Sequence, residues 1–241
     1  GIPYHAKEKY LPKLVAAWYK VAIAEQVSDP KLKWIVKREI VNIVSPGTLH
    51  IEMDTQSHTT HYVVWVAGDS KFEKFWISIL DMTTTVWKCG EVDSLEKLVN
   101  ILYKYSPDEL VLDKQLFWDN ILKDVLDQKI PTHIFYFWIE KDYYSHLKKH
   151  FAVKNLEGFW IEKFPYAQAA SSLLLSYVST AQQNQLQFLD SIWYESYSQY
   201  LDMDAATIRS LDILYNFYTK SSKDGTLLWI LDMTLTPMWS R

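Results

Sequence analysis

The sequence predicts an α/β fold in which a sheet carries helices between its strands. An N-terminal α/β piece and a C-terminal mainly helical piece flank it. Three observations predict this. Tyr62–Ala67 and Phe75–Leu80 are apolar runs of strand length, joined through Gly68-Asp69. Strand and helix patterns then alternate as far as Phe151. From about Phe164 the chain turns Ala- and Leu-rich, in PYAQAASSLLLSYVSTAQQNQLQFL.

Composition bounds the rest. Hydrophobic residues make up 49% of the 241, enough for a sizeable core. No apolar run reaches the roughly 18 residues that span a membrane, and no secretory signal opens the chain. The lone Cys89 excludes an intrachain disulfide scaffold and suggests a reducing, cytoplasmic compartment. The net charge of −4 does not announce a nucleic-acid binder, but its distribution is uneven. Residues 1–48 hold eight Lys/Arg against four Asp/Glu, a local excess that suits backbone phosphates or simply a solvated surface.

The elements follow in order. Lys7–Trp18 places Tyr10, Leu11, Leu14, Val15 and Trp18 on one helical face, with Pro12 in the first turn or interrupting it. Tyr19–Glu25 alternates, Val21 and Ile23 opposite Ala22 and Ala24, as a strand does. A polar connector, Gln26–Lys33, leads to the β-branched strand Ile35–Val44. That strand stops at Ser45-Pro46-Gly47, where Pro presets φ and Gly accepts a positive one. His50–Thr60 reads as a linker. After the two apolar strands, Thr83–Cys89 is a third. Ser94 caps a helix over Leu95, Leu98, Val99 and Leu102, with Lys97 where a full capping box would want Glu or Gln. Pro107-Asp108 turns into the short strand Glu109–Leu112. A helix over 114–126, a strand over His133–Ile139 and a helix over Tyr143–Phe151 complete the order β-β-β-α-β-α-β-α, which suits a ribonuclease-H-like sheet. Pro165 opens the next helix. Tyr200–Asp204 is strand-like, Asp204 caps a helix over Ala205–Tyr218, and Thr226–Asp232 begins another.

Several side chains invite chemistry. Asp81, on a strand of such a sheet, is the sharpest catalytic candidate. With Glu91 and Asp113 it would hold the Mg²⁺ ions of a nuclease, or else serve as a turn residue of an inert scaffold. His58 and His61 form an H-x-x-H in a polar loop, short of the ligands a metal needs. His146 and His150 have the i,i+4 spacing of metal ligands, but no Glu lies between them, so a helix C-terminus answered by polar side chains is the simpler account. Cys89 has no relay partner in sequence and reads as a small buried hydrophobe. Lys37 and Arg38, beside Glu39, are candidate phosphate contacts or else part of a solvated strand face. No phosphate-binding glycine loop is present.

YKVAIAEQ, DPK, IVKREIV and SPGT, in that order between Tyr19 and Thr48, resemble the end of the mismatch-binding domain of the bacterial MutS family. FWISILDMTTTVWKCGEV is similar to that family's connector, and YLDMDAATIRSLDIL with DGTLLWILDMTLTPMWSR resembles the start of its helical core. The resemblance implies a fragment with four parts. Residues 1–49 are the end of the mismatch-binding domain, 50–60 a linker, 61–163 the ribonuclease-H-like connector and 164–241 the start of the core or lever domain. It implies DNA mismatch repair by a homodimer that clamps and kinks mispaired double-stranded DNA. ATP and Mg²⁺, bound beyond these residues, would drive a switch that recruits a downstream repair factor. No membrane is involved, and no catalytic, cofactor or metal residue falls within this stretch. Two alternatives stand beside it: the Mg²⁺-dependent nuclease centred on Asp81, and a scaffolding α/β module with no DNA role.

Trp stands at 18, 34, 76, 160 and 239, where the family pattern tends to have Gly; the chain has 11 Trp and only 6 Gly. This motivates the hypothesis that the gene uses UGA for glycine. The alternative is true tryptophans with compensating changes. UGG codons at these positions would end the hypothesis.

Overall fold

The computed structural model describes residues 6–17, 19–26, 37–45, 47–48, 60–69, 71, 73–112, 133–136, 142–182, 186, 188–197, 203–213, 216 and 224–233. The readings at 114–126, His58, Asp113, Trp18, Trp34 and Trp239 lie outside them.

The N-terminal piece is helix α1 (Lys7–Ala16) on a two-stranded antiparallel sheet, β1 (Val21–Gln26) and β2 (Arg38–Val44). Pro12 lies inside α1 rather than in its first turn. Leu11 and Val15, one turn apart, bury against Val44 with Val21 and Ile23 alongside, so the strand's alternation picks the face that meets the helix.

The larger sheet has the order β7-β6-β3-β4-β5-β8. Its strands are β3 (Tyr62–Gly68), β4 (Phe75–Asp81), β5 (Trp87–Val92), β6 (Glu109–Leu112), β7 (His133–Tyr136) and β8 (Trp193–Tyr194). β3, β4 and β5 form an antiparallel meander; β6 joins β3 in parallel and β7 joins β6 in parallel. The mixed α/β architecture is the one expected. Period-2 alternation divides the sheet into two faces. Val64, Val66, Phe75, Ile77 and Ile79 pack with Leu98, Ile101 and Leu102 of helix α2 (Leu95–Tyr105). Val63, Trp65, Leu80 and Trp87 pack with Leu147 of α3 (Tyr143–Phe151) and Ala170, Leu174 and Val178 of α4 (Pro165–Gln182). The compositional change at 164 therefore marks the start of a helix that lies on this sheet and shares its core. α4 also packs against β2, so one helix touches both sheets.

Other elements differ from expectation. The third strand begins at Trp87, not Thr83, because the threonines before it form a turn. Ser94 does cap α2, accepting from the Lys97 backbone N–H at 3.3 Å. The short β8, absent from the sequence reading, pairs in parallel with β5. Asp204 caps α5 (Ala205–Ser210) through the Thr207 N–H at 2.6 Å, and Thr226 caps α6 (Leu227–Leu231). No helix among the described residues is long and apolar enough to cross a membrane.

Candidate functional site

Glu109 opens β6, and its side chain is fully buried. An apolar strand led by a buried acid needs donors, because a carboxylate stripped of water without them is costly. Three elements supply them. The turn after β2 is closed on itself: Thr48 N–H donates to the Ser45 carbonyl at 3.1 Å and Ser45 N–H to Thr48 Oγ1 at 2.8 Å. So held, it presents the Ser45 hydroxyl, which donates to Glu109 Oε2 at 2.7 Å, and sets the Gly47 backbone beside the carboxylate, where it favours the charged form. From α4 the Tyr177 hydroxyl donates to Oε1. Lys20, just before β1, donates to the Tyr177 oxygen at 2.9 Å and lies 3.9 Å from Oε1. Its ammonium also sits 4.9 Å from the Tyr177 ring centroid.

The electrostatics follow from burial. Desolvation raises the Glu109 pKa, opposed by the Ser45 and Tyr177 hydrogen bonds and the Lys20 charge. Desolvation lowers that of Lys20, opposed by Glu109. It raises that of Tyr177, helped by the neighbouring carboxylate. Gly47 is needed for space: a Cβ there would stand 2.5 Å from Val63 Cγ2 and 2.8 Å from Glu109 Oε2. Chemically the cluster holds elements together.

The residues singled out from sequence lie elsewhere. Lys37 precedes β2 and pairs with Glu39 at 2.6 Å, both largely exposed, and Arg38 is exposed at the strand's start. Asp81 accepts from the N–H groups of Thr83 (2.8 Å) and Thr84 (3.2 Å) and from the Thr84 hydroxyl, closing the β4–β5 turn. Glu91 pairs with Trp76, five residues back along β4, or about 17 Å at ~3.4 Å per residue. The two carboxylates do not converge, so Asp81 and Glu91 do not share a metal ion. No group of three potential metal ligands occurs among the described residues. His61 bonds Asp108 at 3.1 Å, His146 bonds Ser172 Oγ at 2.7 Å and His150 the Leu189 carbonyl at 2.8 Å. The i,i+4 pair thus ties α3 to its neighbours. Cys89 is buried, and desolvation pushes its thiol pKa up to about 12. At the other edge of the sheet a cleft of about 740 Å³ is lined by Lys88, Trp160, Phe164, Trp193, Tyr194 and Glu195, with Lys88 and Glu195 paired at 3.1 Å.

Sequence reasoning marked the Ser45 turn as a strand stop and Glu109 as a strand start, without joining them. The available signal was an acidic residue heading the wholly apolar run Leu110–Leu112.

Comparison with known proteins adds the context. The family model for MutS domain I matches residues 1–53, and that for MutS domain II matches residues 63–190. The chain is 37% identical to the DNA mismatch repair protein MutS of Lachnoclostridium phytofermentans over 249 aligned residues, covering all of this chain and 26% of that protein. It is 35% identical to the protein of the same description from Flavobacterium psychrophilum and 33% identical to that from Methanosarcina barkeri. The whole chain is again covered, with 27% and 28% of theirs. The chain spans about a quarter of the length of these curated relatives.

Proposed function

Because the chain belongs to the MutS family, we propose that it serves DNA mismatch repair as the segment linking a mismatch-binding domain to the rest of a MutS-type protein. The observation that carries this is likeness over the whole chain to MutS proteins, across two successive family domains. In this reading the N-terminal piece, to about 49, belongs to the DNA-binding unit and 50–60 is the linker. The expected boundary between connector and core lies at 163/164; the family match to residue 190 and the packing of α4 on the sheet support moving it to about Asp190. The intact protein acts as a homodimer. It reads a mispair through the ease with which the duplex kinks there, not through base edges. ATP and Mg²⁺ act outside these residues, and the connector couples the two sites and receives a downstream repair factor.

Lys37 and Arg38 remain the candidate phosphate contacts. Their exposure supports this, as does the weakness of an exposed Lys37–Glu39 pair, which a phosphate can replace. The test is fluorescence anisotropy of the full-length gene product on a duplex with one mispair and on its perfect counterpart. The mispaired duplex should bind more tightly, with affinity falling steeply as salt rises. Lys37→Ala with Arg38→Ala should weaken both duplexes alike and reduce the salt slope by up to about 2. Equal binding of the two duplexes by the unaltered protein would reject the reading.

A further inference from the structure

We infer that Glu109 is a positioning residue, a latch whose one carboxylate fastens the N-terminal piece to the connector sheet and to α4. The turn after β2 reaches the sheet through the Ser45 hydroxyl, which donates to Glu109 Oε2, with Gly47 packed against the same carboxylate. The segment entering β1 reaches it by a relay, Lys20 Nζ to Tyr177 oxygen and Tyr177 hydroxyl to Glu109 Oε1. The chain enters β1 and leaves β2 at the same end of the pair, where Val21 faces Val44, so both segments converge on one side chain. Around that contact the joint is small and tight. Gly47 leaves no room for a Cβ against Val63 and Glu109, so the turn approaches β3 and β6 as closely as backbone can.

A joint made by a buried charge is all-or-none in character. Apolar packing weakens gradually as surfaces slide, whereas a desolvated carboxylate that loses one donor carries the full cost of an unmet group. The latch therefore holds the two sheets at one angle until the turn lets go, and then releases them. A movement imposed on the β1–β2 piece reaches α4 through Tyr177 without crossing the linker at 50–60. This bears on joining alone. Failure of the protein to bind mispaired DNA would sink the functional reading above and leave the following test unchanged.

Hydrogen exchange of the full-length gene product tests it, comparing wild type with Glu109→Gln, which keeps the shape and removes the charge. The β1 and β2 amides should exchange about tenfold faster in the variant while those of β3, β4 and β6 stay within about twofold, because release frees one unit without melting the other. Ser45→Ala, which removes a donor from the turn and leaves the sheet intact, should give the same split and decides the matter if Glu109→Gln does not fold. Equal acceleration of both sheets would make Glu109 an ordinary core residue and overturn the latch, as would unchanged exchange in β1 and β2.

Discussion

Trp160 holds φ at +61° at the end of the short 3₁₀ turn Glu157–Phe159, with three-quarters of its surface exposed. The left-handed region costs an L-residue with a Cβ about 1–2 kcal/mol, and glycine almost nothing. Here the backbone itself points to glycine, as the recoding hypothesis requires. Trp76 does not: it lies in extended β4, stacked on Tyr166 with centroids 4.3 Å apart, a place where tryptophan is at home. Trp160→Gly should relieve the strain and lose part of it to the freer unfolded chain. The expected net gain is roughly 0.5–1 kcal/mol in urea unfolding; a lowered midpoint would show that the indole is anchored in the cleft. Glu109 makes a second prediction at this scale. Its raised pKa means that, between the ordinary carboxylate value and its own, the folded state holds a proton that the unfolded chain has released, while above both it carries the buried charge. Its contribution to stability is thus fully present below the ordinary carboxylate value of 4.5 and is lost as pH rises through the folded value. Urea midpoints of Glu109→Gln should lack that component of the decline. Parallel pH profiles of variant and wild type would contradict the assignment.

At the scale of elements, patterning was readable wherever one face is buried and the other is not. Val63 to Gly68 and Phe75 to Asp81 alternate between the two cores, and α2 carries Leu98, Ile101 and Leu102 on one side. β5 was misplaced by four residues because threonine favours strands as readily as turns. The acceptor that decides the matter is Asp81, and a carboxylate closes a turn as readily as it binds a metal. β8 is two residues long and held by parallel pairing to β5, a tertiary cause that leaves no local periodicity. The site was hidden for a related reason. Ser45 and Glu109 are 64 positions apart, and only the fold brings them to 2.7 Å. If Asp81 is a turn residue, Asp81→Ala should destabilise by about 2 kcal/mol by orphaning the donors of Thr83 and Thr84. A midpoint unchanged in the variant would reopen the metal reading.

At the scale of the whole molecule, α4 is the element both sheets share. It crosses β3, β4 and β5 and reaches β2, and Tyr177 near its C-terminal end meets Glu109. A helix with Ala167, Ala170 and Ser171 against the sheet sits close and moves with it, since packed interiors shift as bodies. If the proposed function and the Glu109 latch both hold, DNA engaged by the N-terminal piece is felt along this helix. Hydrogen exchange of the full-length gene product, with and without a mispaired duplex, measures it. On binding, the amides of Pro165–Gln182 should gain protection in wild type, and that gain should vanish in Glu109→Gln while the duplex stays bound. Protection of the helix that is equal in both proteins, or absent from wild type with the duplex bound, would contradict it.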